Sequence, residues 1–340
     1  MRLLVTGGLG FIGSNFVRMV LEARPGWSVT NLDLVTYAGN PANLADLATH
    51  PAYRFVKGDI AEPDDVARAL EGGADAIVNF AAESHVDRSI LAAGPFVRTN
   101  VLGTVQLLEA ARARAGGPCR VVHVSTDEVY GALGPADAPF TERTPVNPTS
   151  PYAASKAAAD HLALAFARTH GQDVVVTRCS NNYGPYQFPE KLIPLMITNA
   201  VEGKKLPVYG DGRQVRDWIH VEDHCAGVLA ALERGRAGEV YNFGARAERA
   251  NLDIVSRIVV LTGVSPGLVE HVPDRPAHDR RYAMDATRAE RELGWRPARS
   301  FEQGLADTVR WYTDHEEWWR AVKDGSYRAF YRAWYEERVS

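Results

Sequence analysis

Six short apolar runs recur through the first half of the chain, and a longer stretch with helical periodicity separates each run from the next. Strands that alternate with helices at this spacing form a parallel sheet with helices on both faces. The sequence therefore predicts an α/β fold with a doubly wound parallel sheet. The runs cover residues 2–6, 28–33, 53–59, 76–82, 120–125 and 173–180.

Three glycines follow the first run directly, at Gly7, Gly10 and Gly13, and a helical pattern covers residues 11–23. Glycine at such positions permits a tight turn, close approach of the backbone to a pyrophosphate, and contact between helix and strand. Asp33 ends the second run 20 residues after Gly13, close to the spacing of a carboxylate that binds the adenosine ribose. Because this carboxylate would repel a 2′-phosphate, we expect a Rossmann-type domain that binds NAD rather than NADP.

The alternation of strand and helix patterns ends after about Tyr183, where segments rich in Gly, Pro and charged residues replace it. Two stretches there, 223–234 and 252–262, still have a helical pattern. We expect residues 1–182 to form the NAD-binding domain. Residues 183–340 are expected to form mainly a smaller, mixed α/β lobe that binds the substrate, with some segments returning to the first domain.

Composition excludes several other classes of protein. The net charge of −4 and the absence of a Lys/Arg run of five or more argue against a nucleic-acid partner, and no apolar run approaches the length of a membrane span. Three widely separated cysteines suit a reducing compartment, so we expect a cytoplasmic protein. His220 and His224 are spaced i,i+4, but no third ligand cluster accompanies them, and we expect no metal site.

Most of the tryptophans lie near the C-terminus, among many charges. Their position is compatible with an interaction surface, but packing of a C-terminal helix on its own domain is the favoured interpretation. Five of the seven are Trp295, Trp311, Trp318, Trp319 and Trp334.

A tyrosine and a lysine are spaced i,i+4 at the start of a helical pattern. Pro151 is suited to the first helical position and Ser150 to the cap before it, which places Tyr152 and Lys156 on one helical face. A nearby cation favours phenolate and lowers the pKa of the tyrosine, as would the positive nicotinamide ring. Tyr152 is thus a candidate general base toward an alcohol.

The segment VSTDEVYG places Thr126, Asp127 and Glu128 directly after the fifth run. Adjacent carboxylates in a partly desolvated site push their pKa values up or apart, which lets one act as an acid and the other as a base. An alternative is that Asp127 and Glu128 only cap the next turn.

These residues resemble the extended short-chain dehydrogenase/reductases that act on nucleotide sugars, and within them the family of dTDP-glucose 4,6-dehydratases. The resemblance covers nearly the whole chain, and the Thr-Asp-Glu triplet is its most specific feature. The segments that carry it are NLDLVTYAGN (31–40), FAAESHVDRSI (80–90), VSTDEVYG (124–131), RCSNNYGPYQFPEKLIPL (178–195), RQVRDWIHVEDH (213–224) and DRPAHDRRYAMD (274–285).

The resemblance implies a lyase that converts dTDP-glucose to dTDP-4-keto-6-deoxyglucose. A hydride would pass from C4 of the sugar to NAD and then to C6, with loss of water. Tyr152 would be the first base with Lys156 as its electrostatic partner, and Thr126 would donate a hydrogen bond to the 4-oxygen. Asp127 would be the acid and Glu128 the base of the dehydration. A homodimer is also expected from the family.

The resemblance further implies two sets of binding residues. NAD would contact Gly7, Gly10, Phe11, Ile12, Gly13, Asp33, Tyr37, Asp59, Ile60, Ala81, Ala82, Thr99, Tyr152, Lys156 and Asn182. The substrate would contact Ser84, Thr126, Asn181, Lys191, Leu192, Pro207, Tyr209, Arg216, Asn251, Arg275 and His278. Ala277 and the segment 244–254 depart from the family pattern near the diphosphate.

Two rival functions stay open at this point. A nucleotide-sugar 4-epimerase or uronate decarboxylase of the same fold would keep Tyr152 and Lys156 without needing the adjacent acid and base. A non-enzymatic NAD sensor would need neither pair of residues. Asp127 and Glu128 therefore favour dehydration over both.

Overall fold

The computed structural model describes residues 1–113, 117, 119–274 and 279–323. Its main element is a parallel sheet of seven strands in the order β10-β6-β5-β4-β1-β2-β3. The strands are β1 (Arg2–Thr6), β2 (Ser28–Asp33), β3 (Tyr53–Lys57), β4 (Ala76–Asn79), β5 (Arg120–Thr126), β6 (Val174–Cys179) and β10 (Val240–Phe243).

The doubly wound α/β fold and the six strands expected in the first half are confirmed. Three of the strands are shorter than the runs that predicted them, since β3 ends at Lys57, β4 ends at Asn79 and β6 covers Val174–Cys179. The chain turns from β1 to β2 and β3 on one side and later crosses to β4 on the other. This switch between β1 and β4 is where open α/β sheets bind ligands, beyond the carboxyl ends of the strands.

Helices cover both faces of the sheet because successive strand residues point to opposite sides. Leu3 and Val5 of β1 pack with Phe16 and Val228, whereas Leu4 packs on the opposite face with Leu107. The helices are α1 (Phe11–Ala23), α2 (Pro63–Ala69), α3 (Val86–Leu91), α4 (Gly94–Phe96), α5 (Thr104–Ala113), α6 (Pro151–His170), α7 (Leu192–Val201), α8 (Val221–Arg234), α9 (Asn251–Thr262), α10 (Thr287–Leu293), α11 (Phe301–Asp314) and α12 (Glu316–Val322).

A second, smaller group of strands forms a mixed lobe. Strand β9 (Val215–His220) pairs in parallel with β7 (Asn181–Tyr183) and antiparallel with β11 (Glu248–Ala250). Strand β8 (Leu206–Tyr209) pairs in parallel with β12 (Val269–Val272). A core shared by α7, α9 and α11 stabilises this lobe. The helices expected at 223–234 and 252–262 are confirmed as α8 and α9, whereas the division of the chain at residue 182 stays a prediction.

The C-terminal tryptophans in the described residues pack inward, as expected. Trp319 and Trp295 are buried, and Trp311 and Trp318 lie partly buried against the core of the mixed lobe. Trp334 lies outside the described residues. Among the described helices, none combines the length and the apolar content needed to cross a bilayer.

Candidate active site

A deep pocket opens at the carboxyl ends of the parallel strands, where the switch point lies. Its wall begins with the turn after β1, continues through the ends of β2 and β4 to β6, and closes with residues that follow β7. Cofactor candidates in this wall are Gly7, Gly10, Phe11, Ile12, Gly13, Asp33, Asp59, Ile60, Ala81, Ala82, Thr99, Tyr152, Lys156 and Asn182. Substrate candidates in it are Ser84, Thr126, Asn181 and Lys191.

The structure places the remaining candidates differently. Tyr37 lies beside the wall, and its hydroxyl donates to the lining residue Glu190 at 3.2 Å. Five substrate candidates belong to the mixed lobe and do not line this wall: Leu192, Pro207, Tyr209, Arg216 and Asn251. The candidates Arg275 and His278, and the departure at Ala277, lie outside the described residues.

The glycine turn leaves no space for side chains. Gly7 has φ +70°, and a Cβ atom there would lie 2.6 Å from the backbone nitrogen of Ala81. A Cβ on Gly13 would lie 2.2 Å from the carbonyl oxygen of Gly7. Helix α1 begins after Gly10, where the cap position has no side chain, so its first backbone N–H groups face the pocket end of β1. Such a helix N-terminus suits a pyrophosphate, and this cradle fits a dinucleotide.

Asp33 is fixed at the end of β2. Its Oδ2 accepts from the backbone N–H of Leu9 at 2.9 Å, and its Oδ1 accepts from that of Val35 at 2.8 Å. Burial raises the pKa of the Asp33 carboxyl, and these two bonds oppose the rise. Asp59 is fixed similarly, because its carboxylate accepts from the N–H of Ala61 and from Arg98. Hydrogen bonds within the protein therefore fix the positions of both carboxylates in the pocket wall.

The Thr-Asp-Glu triplet lies where β5 ends and a short 3-10 turn (Asp127–Tyr130) begins. Thr126 caps this turn, since its Oγ1 accepts from the N–H of Glu128 at 3.3 Å and lies 3.2 Å from Asp127 Oδ1, to which it donates. The alternative that the two carboxylates only cap the turn is wrong, because the threonine hydroxyl does so.

The side chain of Asp127 is buried against its neighbours. Its Oδ2 has no hydrogen-bond partner among the described residues. Burial raises the pKa of Asp127 well above its usual range, and the charge of Glu128 raises it further, while Arg216 and the Thr126 hydroxyl oppose the rise. Burial and the charge of Glu128 thus favour the protonated form of Asp127, from which a proton can be donated.

Helix α6 positions the tyrosine and the lysine as the sequence predicts. It begins at Pro151, and Ser150 Oγ accepts from the N–H of Ala153 at 3.1 Å. Tyr152 and Lys156 are both buried in the pocket wall, and Lys156 Nζ donates to the carbonyl oxygen of Val124 at 2.7 Å. Burial lowers the pKa of Lys156 to about 8.

The prediction that the Tyr152 pKa is lowered is wrong for the surroundings that the protein residues provide. Burial raises the pKa of Tyr152 well above its usual range, and the charge of Glu128 adds to the rise, while the Thr126 hydroxyl opposes it. Burial removes the hydration that an ionised phenol would need, and the charge of Glu128 repels it, so both effects act against a phenolate. A phenolate here needs an additional positive charge.

Several residues of the wall were missed by sequence reasoning. Glu190 is buried, lies 3.6 Å from His85 Nε2 through its Oε2, and has a pKa that burial raises to about 7. No local pattern identifies Glu190, because its burial depends on strands far away in the chain. Cys179 and Ser180 could have been found, since they end the sixth apolar run and the carboxyl ends of parallel strands line such sites.

The histidines that could have suggested a metal have other contacts. His224 Nδ1 lies 2.9 Å from Asn182 Oδ1, and the side chain of His220 accepts from the N–H of Glu222 at 3.3 Å. Across the part of the chain that the structure describes, no three His, Cys, Asp or Glu side chains are grouped as metal ligands.

Comparisons with known proteins agree with this geometry. The family model described as GDP-mannose 4,6 dehydratase matches residues 4–308. A dTDP-glucose 4,6-dehydratase of Streptomyces niveus is 55% identical over 328 residues, which cover 95% of this chain and 96% of that protein.

Solved structures show the same likeness. The crystal structure of DesIV, a dTDP-glucose 4,6-dehydratase from Streptomyces venezuelae with NAD and TYD bound, is 53% identical and has a TM-score of 0.91, covering 95% of this chain and all of that one. A UDP-glucose 4-epimerase of Thermus thermophilus in complex with NAD is 29% identical with a TM-score of 0.85, covering 93% of this chain and 100% of that one.

Proposed function

The chain belongs to the family of dTDP-glucose 4,6-dehydratases, and from this we propose that it converts dTDP-glucose to dTDP-4-keto-6-deoxyglucose with loss of water. The observation that carries the proposal is the different environment of two adjacent carboxyls. Asp127 is buried, and burial and the charge of its neighbour Glu128 both raise its pKa and favour its protonated form. Elimination of water needs one acid and one base in this relation.

The residues of the glycine turn and of the strand ends fit NAD as the cofactor. Gly7, Gly10 and Gly13 give the pyrophosphate room, and Asp33 offers a fixed carboxylate to the adenosine ribose. When bound, NAD accepts a hydride from C4 of the sugar and returns it to C6. Its positively charged ring is also the charge that a phenolate of Tyr152 requires.

The first proton transfer is assigned to Tyr152. Its phenolate takes the proton of the C4 hydroxyl as the C4–H bond breaks and the ketone forms. Thr126, which already acts on the pKa of Tyr152, donates a hydrogen bond to the 4-oxygen. Lys156 is buried one helical turn away, and its ammonium ion favours the phenolate.

Dehydration is assigned to the two carboxyl groups. The 4-ketone acidifies the C5–H bond, and Glu128 takes that proton. Asp127 gives its proton to the C6 hydroxyl, which leaves as water and creates a C5–C6 double bond. Glu128 then returns a proton to C5 as C6 is reduced, so a methyl group forms at C6 and the ketone stays at C4.

The nucleotide is assigned to the mixed lobe, within residues 183–340, and the cofactor to residues 1–182. Lys191 and Arg216 offer cations to a diphosphate, and Asn181, Leu192, Pro207, Tyr209 and Asn251 complete the expected contacts. Arg216 supports this assignment because its guanidinium is fixed, 4.3 Å above the ring of Tyr282 and 2.8 Å from the carbonyl oxygen of Asp279. Lys191 Nζ donates at 3.1 Å to the carbonyl oxygen of Ser84, which is itself an expected contact of the substrate.

We also propose a cytoplasmic homodimer that forms through an apolar face on α3 and the helical turn 97–103. Leu91 is 69% exposed and Val97 54%, and Ile90 and Leu102 in the same two segments are exposed as well. Large exposed apolar side chains that are adjacent mark protein interfaces. Sedimentation of the parent and of Leu91→Lys/Val97→Lys tests this face, and a dimeric double variant would exclude it.

Incubation with glucose linked to each of several nucleoside diphosphates, followed by mass measurement, tests the reaction and the base together. We expect loss of one water molecule with the thymine nucleotide. A product of unchanged mass with inverted C4 would instead favour the 4-epimerase alternative, and bound NAD without turnover of any nucleotide sugar would favour the sensor.

A further inference from the structure

A buried group of charged side chains lies behind the Tyr152–Lys156 pair and takes no part in the reaction proposed above. Asp160 follows Lys156 by one turn of α6 and is completely buried. Its Oδ2 accepts from Arg178 Nε at 2.8 Å, and its Oδ1 lies 3.5 Å from His123 Nε2. Arg178 belongs to β6 and His123 to β5, so residues of two neighbouring strands surround this carboxyl group of α6, and Arg178 is the one that hydrogen-bonds to it.

The hydrogen bonds of Asn79 decide the charge and the tautomer of His123. The Thr6 hydroxyl donates to Asn79 Oδ1 at 2.6 Å, so the Nδ2 of Asn79 is the atom that donates to His123 Nδ1, at 3.2 Å. The ring hydrogen of His123 is then on Nε2, which faces Asp160. Burial lowers the pKa of His123 well below its usual range, and Lys156 and Arg178 lower it further. His123 is therefore neutral and adds no positive charge.

Arg178 is fixed from its other side. Its guanidinium lies 4.7 Å from the centre of the Tyr130 ring, and the Tyr130 hydroxyl donates to Asn242 Oδ1 at 2.8 Å. Because Arg178 cannot move freely, Asp160 is kept in place as well. An ionised carboxylate in such a site requires hydrogen-bonded partners, and Arg178 supplies the strongest one.

The electrostatic surroundings of Lys156 contain few groups that could keep it charged. Burial disfavours the ammonium ion of Lys156. The group that most strongly opposes this effect is Asp160, and Cys179 is the next. Cys179 is a thiol rather than an ion, because burial raises its pKa to about 12. Asp160 is therefore the carboxyl group that acts on Lys156 from within the same helix, and its partner Arg178 is the cation that favours a carboxylate at this position.

We propose that Asp160 is a positioning residue of the active site: its carboxylate, held by Arg178 one helical turn from Lys156, maintains the Lys156 ammonium ion on which Tyr152 depends. The inference rests on the proposed function for the role of Lys156, but the charge of Lys156 can be measured without turnover. It adds to the mechanism a group that touches neither sugar nor cofactor.

The charge of Lys156 is accessible to NMR because the chain has only six lysines. Protein with bound NAD would be labelled with ¹³C at lysine Cε, and Lys156→Arg would assign the Lys156 resonance by its loss. In Asp160→Asn we expect the titration midpoint of Lys156 to fall by about one pH unit, because a neighbouring negative charge is removed. The alkaline limb of the pH–kcat profile should move to lower pH by a similar amount.

Two variants control this measurement. Asp160→Glu keeps the charge and should restore most of the Lys156 midpoint and of the pH profile. Asp223→Asn removes a comparably buried carboxylate, which caps the N–H groups of Ala298 and Arg299. It should leave the midpoint of Lys156 unchanged.

If Asp160→Asn fails to fold, the double variant Asp160→Asn/Arg178→Met removes one buried charge of each sign and should still lower the Lys156 midpoint. An unchanged Lys156 midpoint in Asp160→Asn, or in the double variant if the single variant does not fold, would overturn the inference, even if the parent dehydrates its substrate. A lowered midpoint in a protein that dehydrates no nucleotide sugar would instead refute the proposed function and leave the effect of Asp160 on Lys156 intact.

Discussion

Thr126 and Glu128 are joined by a hydrogen bond of 3.3 Å, in which the threonine hydroxyl accepts from the backbone N–H of the glutamate. The same hydroxyl lies 3.2 Å from Asp127 Oδ1. One side chain thus fixes the turn that carries the proposed acid and base, at the end of a buried strand. Substitution of Asp127 or Glu128 should therefore change the chemistry while the cap of the turn, which Thr126 provides, stays in place.

Tyr152→Phe should leave the fold and the NAD content nearly unchanged and lower turnover by roughly 10²–10⁴, the range for loss of a general acid–base. Tyr53→Phe is a matched control, because the Tyr53 hydroxyl bonds only Asn31 among the described residues and lies outside the pocket wall. Steady-state rates and the NAD content of both variants are the measurements. Parent-like turnover in Tyr152→Phe would remove this residue from the mechanism.

Glu128→Gln should still oxidise the sugar at C4 but should stop before dehydration, because the base for C5 is missing while Tyr152 remains. Quenching single turnovers with borodeuteride would place deuterium on C4 of sugar that has kept its C6 hydroxyl. Exchange of the C5 hydrogen with solvent should also be lost. Water loss at the parent rate would mean that Glu128 is not the base.

Asp127→Asn should uncouple C5 exchange from water loss. Glu128 is still present, so the C5 hydrogen should exchange with solvent, while departure of the C6 hydroxyl should slow by roughly 10²–10⁴ without its acid. The ratio of C5 exchange to water loss separates this variant from Glu128→Gln. Equal slowing of both steps would indicate that the two carboxyls act as one unit.

The raised pKa of Asp127 also predicts a dependence of stability on pH. A carboxyl whose pKa is higher in the folded than in the unfolded state stabilises the fold below its unfolded value, about 3.9 for Asp. That contribution is lost as the pH rises through the folded pKa. The free energy of unfolding of Asp127→Asn relative to the parent should therefore increase as pH rises, as urea titrations at several pH values can measure. A difference that does not change with pH would contradict the burial of an ionisable Asp127.

Gly13→Ala should weaken NAD binding and destabilise the fold by about 1–3 kcal/mol, as expected when a methyl group is forced into a filled space. The added Cβ would lie 2.2 Å from the carbonyl oxygen of Gly7. Gly26→Ala is the control, since a Cβ there meets no atom within 4 Å. Thermal unfolding and NAD titration of both variants test this, and normal NAD affinity in Gly13→Ala would argue against the glycine turn as the pyrophosphate site.

Substrate deuterated at C4 should give a product with deuterium in the C6 methyl group and solvent hydrogen at C5. A 4-epimerase would return the label to C4, and a net dehydrogenase would release it from the sugar. Mass and NMR analysis of the product therefore distinguish the dehydratase from each alternative. Label at any carbon other than C6 would refute the assignment even though the fold is correct.

Local sequence patterns were enough to predict the architecture and to identify candidates for the reacting groups. Strand and helix periods are local properties of the chain, so the apolar runs located the parallel strands within a few residues. The glycine turn, the i,i+4 spacing of Tyr152 and Lys156, and the adjacency of Asp127 and Glu128 are also local. Each could be read before any tertiary contact was known.

The directions in which the pKa values of those groups shift depend on the tertiary structure. Burial raises the pKa of Tyr152, where the sequence had suggested the opposite, and it also raises the pKa of Asp127. Glu190 and Asp160 acquire their importance in the same way, from strands and helices distant in the chain. Desolvation and Coulomb interactions depend on which segments cover a side chain, and no local pattern of residues records that.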